Sequence, residues 1–202
     1  MAQAPGPGRV GRWLPTGVLV GARRLLSPNH DARPEGSRVE LLVIHNISLP
    51  PGHFGGRAIE DFFMNILDCA AHPYFEALRG LRVSAHFLIR RGGELAQLVP
   101  CDLRAWHAGV SSWRGRARCN DFSIGIELEG TDQKPYTERQ YRRLALLTRI
   151  LRARYPIVEV VGHCDIAPGR KSDPGTSFDW ERYRKAADID APHLPPRHSP
   201  KK

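Results

Sequence analysis

Two histidines and an aspartate are the first residues in this chain whose types suggest a shared chemistry. His45 ends the apolar run Leu41-Leu42-Val43-Ile44, His163 follows the apolar stretch 158–161 and Gly162, and Asp173 sits in the loop Lys171-Ser172-Asp173-Pro174-Gly175. Two imidazoles and a carboxylate suit zinc; a catalytic zinc takes three protein ligands and leaves a fourth position for a water made nucleophilic near neutral pH. Spacing alone does not decide for a metal. His45 and His163 lie far apart in the chain, no local spacing rule covers them, and a lone histidine at a strand end is more often structural than a ligand.

Glu127 strengthens the case. Residues 122–129 alternate, with Ile124, Ile126 and Leu128 on one face and Gly125, Glu127 and Glu129 on the other. A half-buried carboxylate on such a face can have its pKa raised into the range useful for proton transfer. The alternative is that Glu127 and Glu129 face solvent on an edge strand. Lys171 could aim an ammonium at an oxyanion formed when water attacks a carbonyl, or be a solvated loop lysine. His86, inside a strand-like run, and His107, beside Trp106, could line a cleft, but a hydrogen-bonded core role is favoured for both.

Short elements must position these groups. The run ending at His45 is long enough for a buried strand and too short for a helix. Pro50, Pro51, Gly52, Gly55 and Gly56 then make a loop, and residues 59–67 read as a helix. Residues 83–90 and 94–99 flank Arg91-Gly92-Gly93, a connection so short that an antiparallel hairpin is the natural reading. Thr137-Glu138-Arg139-Gln140 is a capping box, and Tyr141, Leu144, Ala145, Thr148, Leu151 and Tyr155 repeat at helical spacing until Pro156. A further buried strand is expected at 158–161 and a last helix from about Asp179 to Ala187. Strands interleaved with helices, plus a hairpin, predict an α/β fold with a mixed β-sheet and flanking helices. Periodic structure begins at Glu40, so residues 1–26 are expected to be an irregular N-terminal segment, 27–187 the domain, and the Pro-rich 188–202 a disordered tail.

Composition bounds the function class. With 202 residues, 41% hydrophobic and 25% charged, the chain has room for one core and the make-up of a folded globular protein. The net charge of +9 could serve nucleic acid or anionic lipid, but the arginines are scattered and no nucleic-acid-binding motif is present. Neither a nucleic-acid nor a membrane partner is therefore expected, and no obligate protein partner is inferred. Cys69, Cys101, Cys119 and Cys164 show no disulfide framework. The apolar stretch 14–22 is broken by Pro15, Thr16 and Gly17 and makes a poor secretory signal, which predicts a cytoplasmic protein.

Five segments carry a resemblance. They are 42–52 with Ile44-His45-Asn46, 82–91 with Ser84-Ala85-His86-Phe87, 104–111 with Trp106-His107-Ala108-Gly109, 119–132 with Gly125-Ile126-Glu127, and 162–175 from Gly162-His163 to Lys171-Ser172-Asp173-Pro174-Gly175. In order, from about Ser27 to Trp180, they resemble the zinc-dependent N-acetylmuramoyl-L-alanine amidase family, which includes phage amidase-type lysozymes and animal peptidoglycan recognition proteins. Within it the chain resembles the branch acting on 1,6-anhydro-muropeptides in cytoplasmic cell-wall recycling. The resemblance implies a peptidoglycan-recognition/amidase-type fold and one Zn2+ held by His45, His163 and Asp173. It further implies Glu127 as proton acceptor, Lys171 stabilising the transition state, and a substrate face around Asn46, Arg82, Trp106 and Arg118. Some relatives lose a ligand and bind without cutting; no such gap occurs here. A binding module of the same fold, a nucleic-acid-associated protein and an amidase acting on intact wall are the rival readings.

Overall fold

A computed structural model describes residues 11–190. In chain order the strands are β1 (Arg23–Arg24), β2 (His30–Ala32), β3 (Leu41–Ile47), β4 (Phe87–Ile89), β5 (Leu95–Gln97), β6 (Leu103–Ala105), β7 (Ser112–Trp113), β8 (Arg116–Ala117), β9 (Ser123–Glu129) and β10 (Glu159–Gly162). The helices are α1 (Ala58–Phe63), α2 (Pro73–Glu76), α3 (Glu138–Arg154), α4 (His163–Ile166) and α5 (Trp180–Ala187). Six strands form one sheet in the order β1-β5-β4-β9-β3-β10. The pairs β4/β9, β9/β3 and β3/β10 are parallel while β4/β5 is antiparallel, so the sheet is mixed, as the hairpin and the alternating elements predict.

The two faces of this sheet have different work. On one, Leu42, Ile44, Phe87, Ile89, Ile124, Ile126 and Leu128 pack against Leu144, Leu147 and Leu151 of α3 and Tyr183 of α5. Thr137 and Gln140 cap α3 reciprocally, and the Gln140 amide also donates to the carbonyl of Glu129 at 2.9 Å, fixing the helix to the end of β9. The Thr148 and Tyr183 hydroxyls meet at 2.7 Å between the two helices. The opposite face carries two smaller apolar clusters, one around α1 and Leu88, the other around Leu41, Val43 and Val161. His45, Gly125 and Glu127 share that second face by the alternation of strand side chains.

Several boundaries differ from those expected. Residues 11–26, mostly turns and coil, are nonetheless attached to the domain: β1 pairs in parallel with β5 and Leu19 is fully buried in the main core. The broken apolar stretch around Leu19 is core sequence, since full burial of one leucine is worth about 1.5–3 kcal/mol. At the other end Ile189 is 2% exposed, so the core continues past Ala187, while 191–202 of the expected tail lie outside the described residues. The first helix stops at Phe63; Asn65 turns into the left-handed region at φ 62°, and its side chain exchanges hydrogen bonds with Asn29. In 83–90 only Phe87–Ile89 is assigned as strand, because Ser84 is engaged by the Trp106 carbonyl and by Asn29.

Candidate metal centre and its cleft

Parallel strands direct their C-terminal ends to one edge of a sheet, and ligand sites in open α/β folds form there. His45 lies near the C-terminal end of β3, Glu127 is its register partner on β9, and His163 is the first residue after β10. Asp173 arrives from a loop held at three points. The Cys164 N–H donates to the Asp173 carbonyl at 3.0 Å, the Tyr136 hydroxyl donates to the Pro174 carbonyl at 2.8 Å, and Gly175 adopts φ +80° against Asp132. A Cβ on Gly175 would stand 2.1 Å from the Asp132 Cα, a contact only a backbone shift can relieve. Gly175→Ala is therefore expected to cost at least about 2 kcal/mol from the φ and the clash together, lowering Tm by roughly 4–8 °C. Thermal denaturation checks this, and an unchanged Tm would refute the tight packing of the loop.

His45, His163 and Asp173 come together, with one donor atom from each lying within 4.8 Å of the others. His45 Nδ1 is 3.0 Å from His163 Nδ1, and each of these nitrogens is 3.1 Å from Asp173 Oδ2. His163 Nε2–H donates to the Ala108 carbonyl at 3.1 Å, which leaves Nδ1 as a bare lone pair facing a carboxylate oxygen. Acceptors this close repel one another unless a cation lies among them. The triangle also fits one: metal bonds of about 2.0–2.2 Å in a tetrahedron put ligand atoms roughly 3.3–3.5 Å apart. Burial pushes the His45 imidazole down to about 4, the neutral form a metal requires.

Glu127 and Glu129 sit two positions apart on one face of a strand flanked by β3 and β4, which excludes the solvated edge-strand reading for both. Their surroundings differ sharply. Glu129 accepts from Arg90 at 2.9 Å and from the N–H groups of Gly55 and Arg91, so its lone pairs are used. Glu127 is 8% exposed and its Oε2 has no hydrogen-bond partner. Burial, then the nearby Asp173 charge, push its pKa well above the ordinary carboxylate value, with Lys171 acting in the opposite direction. An unpaired buried carboxylate oxygen is costly, so one beside a cleft marks a place for a proton-bearing ligand.

A cleft of about 650 Å³ lies over these groups. His45, His163, Asp173, Glu127, Lys171 and Asn46 all line it, and Asn46 is oriented by a 2.8 Å bond to Asp132. Phe62, Phe63, Tyr74 and Leu81 supply an apolar wall that sequence reading did not assign to the site. Arg82, Trp106 and Arg118 are not among its lining residues. Arg82 and Arg118 are exposed, Arg118 pairs with Asp121 at 3.1 Å, and Trp106 is half-buried with its side chain bonded to Asp31. His86 has the core role expected of it, accepting from Gly125 N–H at 3.0 Å beneath a half-buried Arg33. His107, by contrast, reaches the centre, with Nδ1 3.0 Å from His45 Nε2. The only signal for it in the sequence is the short loop Trp106-His107-Ala108-Gly109.

Fold and site together outline a candidate hydrolase-type centre: a His-His-Asp group with the make-up to hold a metal ion, a buried carboxylate and a lysine around one cleft at the strand ends of a mixed sheet. Comparison with known proteins places this class. Residues 35–176 match the N-acetylmuramoyl-L-alanine amidase family, and the chain belongs to that family. It is 60% identical over 173 residues to the 1,6-anhydro-N-acetylmuramyl-L-alanine amidase AmpD of Citrobacter freundii, an alignment covering 85% of this chain and 92% of that one. A crystal structure of a selenomethionine AmpD derivative superposes with a TM-score of 0.84 at 59% identity, covering 87% of this chain and 99% of the other. The Escherichia coli amidase AmiD, solved with anhydro-N-acetylmuramic acid-L-Ala-D-gamma-Glu-L-Lys, matches at TM-score 0.57 and 33% identity over 87% of this chain and 65% of its own.

Proposed function

We propose that this enzyme hydrolyses the amide between the lactyl group of 1,6-anhydro-N-acetylmuramic acid and L-alanine, using zinc held by His45, His163 and Asp173, in cytoplasmic cell-wall recycling. The observation that carries the reading is the register pairing of His45 with Glu127. It sets a metal-ligand imidazole and an unpaired carboxylate side by side in a chain 60% identical to an amidase of that specificity. No described helix is long and apolar enough to cross a membrane.

His45, His163 and Asp173 would hold the zinc, which when bound would supply Lewis acidity for attack on the amide. The protein's own groups do the rest. Glu127 Oε2, free of other partners, takes the proton of the attacking water and returns it to the departing alanine nitrogen. Lys171 lines the cleft as a cation and offsets the charge gathering on the tetrahedral oxyanion. Asn46, held by Asp132, presents a polar edge to the substrate. Trp106 offers a ring to the sugar or peptide, while Arg82 and Arg118, exposed and outside the cleft lining, are assigned to the stem-peptide carboxylates.

The decisive experiment incubates the purified protein with anhydro-muropeptides, with and without a chelator, and identifies products by mass. Release of intact peptide and anhydro-muramic acid, abolished by the chelator, is expected. Binding without cleavage would instead identify a recognition module. Arg82→Ala and Arg118→Ala should raise KM more than they lower kcat, as lost ground-state binding does; a pure kcat effect would remove them from the substrate face. The anhydro preference is checked by comparing kcat/KM on anhydro-muramyl peptide, on the same peptide with a reducing muramic acid, and on intact sacculi. Equal efficiency on all three would place the enzyme in another branch of the family.

A further inference from the structure

His107 has no part in the chemistry described above, yet it is buried and touches a metal-ligand histidine. Resting on the zinc reading of that centre, we propose that His107 is a positioning residue that fixes the tautomer and orientation of His45 through a one-way chain of hydrogen bonds ending at the Cys119 carbonyl.

The direction follows from the far end. Ser123 Oγ lies 2.5 Å from the Cys119 carbonyl oxygen, which can only accept, so the hydroxyl hydrogen goes there. The Ser123 oxygen is left with lone pairs toward His107 Nε2 at 3.1 Å, so that nitrogen carries the hydrogen. A neutral His107 then has a bare Nδ1, and this faces His45 Nε2 at 3.0 Å and accepts its N–H. His45 is left with its Nδ1 lone pair turned toward His163 and Asp173, the state in which it can hold a metal. No link can be reversed without setting two donors or two acceptors against each other.

The surroundings keep the ring in place. A Cβ at Gly125 would stand 2.4 Å from His107 Cγ, so the imidazole lies directly on the backbone of β9 where a side chain would displace it. The Asn120 carboxamide oxygen accepts from the N–H groups of both His107 and Ala108, at 3.1 and 2.8 Å. Ala108 is the residue whose carbonyl orients His163. One clamp therefore holds the two neighbouring residues that brace the two imidazoles, and hydrogen-bond partners of metal-binding histidines commonly set metal affinity.

The test measures zinc affinity by competition with a chromophoric chelator for wild type, His107→Phe, His107→Asn and Ser123→Ala, with apo-protein melting as the check on folding. His107→Phe keeps a ring without an acceptor, whereas the Asn oxygen replaces Nδ1. Ser123→Ala touches neither the metal nor His45 and frees His107 to change tautomer. Loss of zinc affinity by about 10- to 100-fold is expected in His107→Phe and Ser123→Ala, with most of it recovered in His107→Asn. Imidazole 15N NMR of the metal-free wild type, which needs no variant to fold, is expected to show His107 protonated on Nε2. Wild-type affinity in both His107→Phe and Ser123→Ala, or a His107 protonated on Nδ1, overturns the proposal. A wild type that binds no stoichiometric zinc overturns the functional reading instead, and the NMR tautomer still decides the hydrogen-bond chain.

Discussion

Glu127→Gln is expected to keep its full zinc content and lose turnover by a factor of about 10² to 10⁴, the range a positioned general base contributes. The substitution is nearly isosteric, and Oε2 has no partner to lose, so the sheet should not notice it. What vanishes is a buried carboxylate lone pair, free of other partners, for the proton of water. Glu129→Gln supplies the contrast: its carboxylate is bonded to Arg90 and to two backbone N–H groups, so the cost should appear in Tm before kcat. Elemental analysis and steady-state kinetics on both variants check this. Wild-type turnover in Glu127→Gln would reduce that carboxylate to a structural role.

Removal of a ligand acts in the other order, on metal first and activity as a result. His163→Ala is expected to lose most bound zinc and, with it, activity to background, while the fold persists. The reason for persistence is local. The Ala108 carbonyl that His163 bonds also accepts from Arg170 at 2.8 Å, so it is not orphaned, and the main core lies on the far face of the sheet. His45→Ala and Asp173→Ala should likewise shed metal. Near-full zinc occupancy in His163→Ala, measured by elemental analysis on folded protein, would sink the ligand assignment.

Metal loss and base loss thus separate into two experimental signatures. Glu127→Gln gives a loaded, inactive protein and His163→Ala an empty one. Lys171→Ala belongs with the first, because the lysine is exposed at the rim of the cleft and bonds to none of the three metal-site residues.

Local patterns were legible in the sequence wherever neighbours along the chain supply the physics. The capping box at Thr137 and Gln140, the helical repeat through Leu151, the alternation in β9 and the tight hairpin between β4 and β5 need only adjacent residues, and each forms. The motif resemblance likewise identified the amidase family from residue types in order. Long-range facts had no such signal. The pairing of His45 with Glu127 depends on β3 and β9 adopting one register, since a slip of a single residue would turn Glu127 to the opposite face. Leu19 and β1 looked irregular because their partners, such as Gln97, lie far along the chain. Glu127 and Glu129 are indistinguishable by alternation; Arg90 and the backbone of Gly55 and Arg91 reach only one of them. Sequence determined which chemical groups are available, and which short segments turn, cap or extend. The tertiary structure alone decided which carboxylate is left unpaired and which imidazole braces another, because those properties depend on desolvation and on contacts between residues that only the completed sheet brings together.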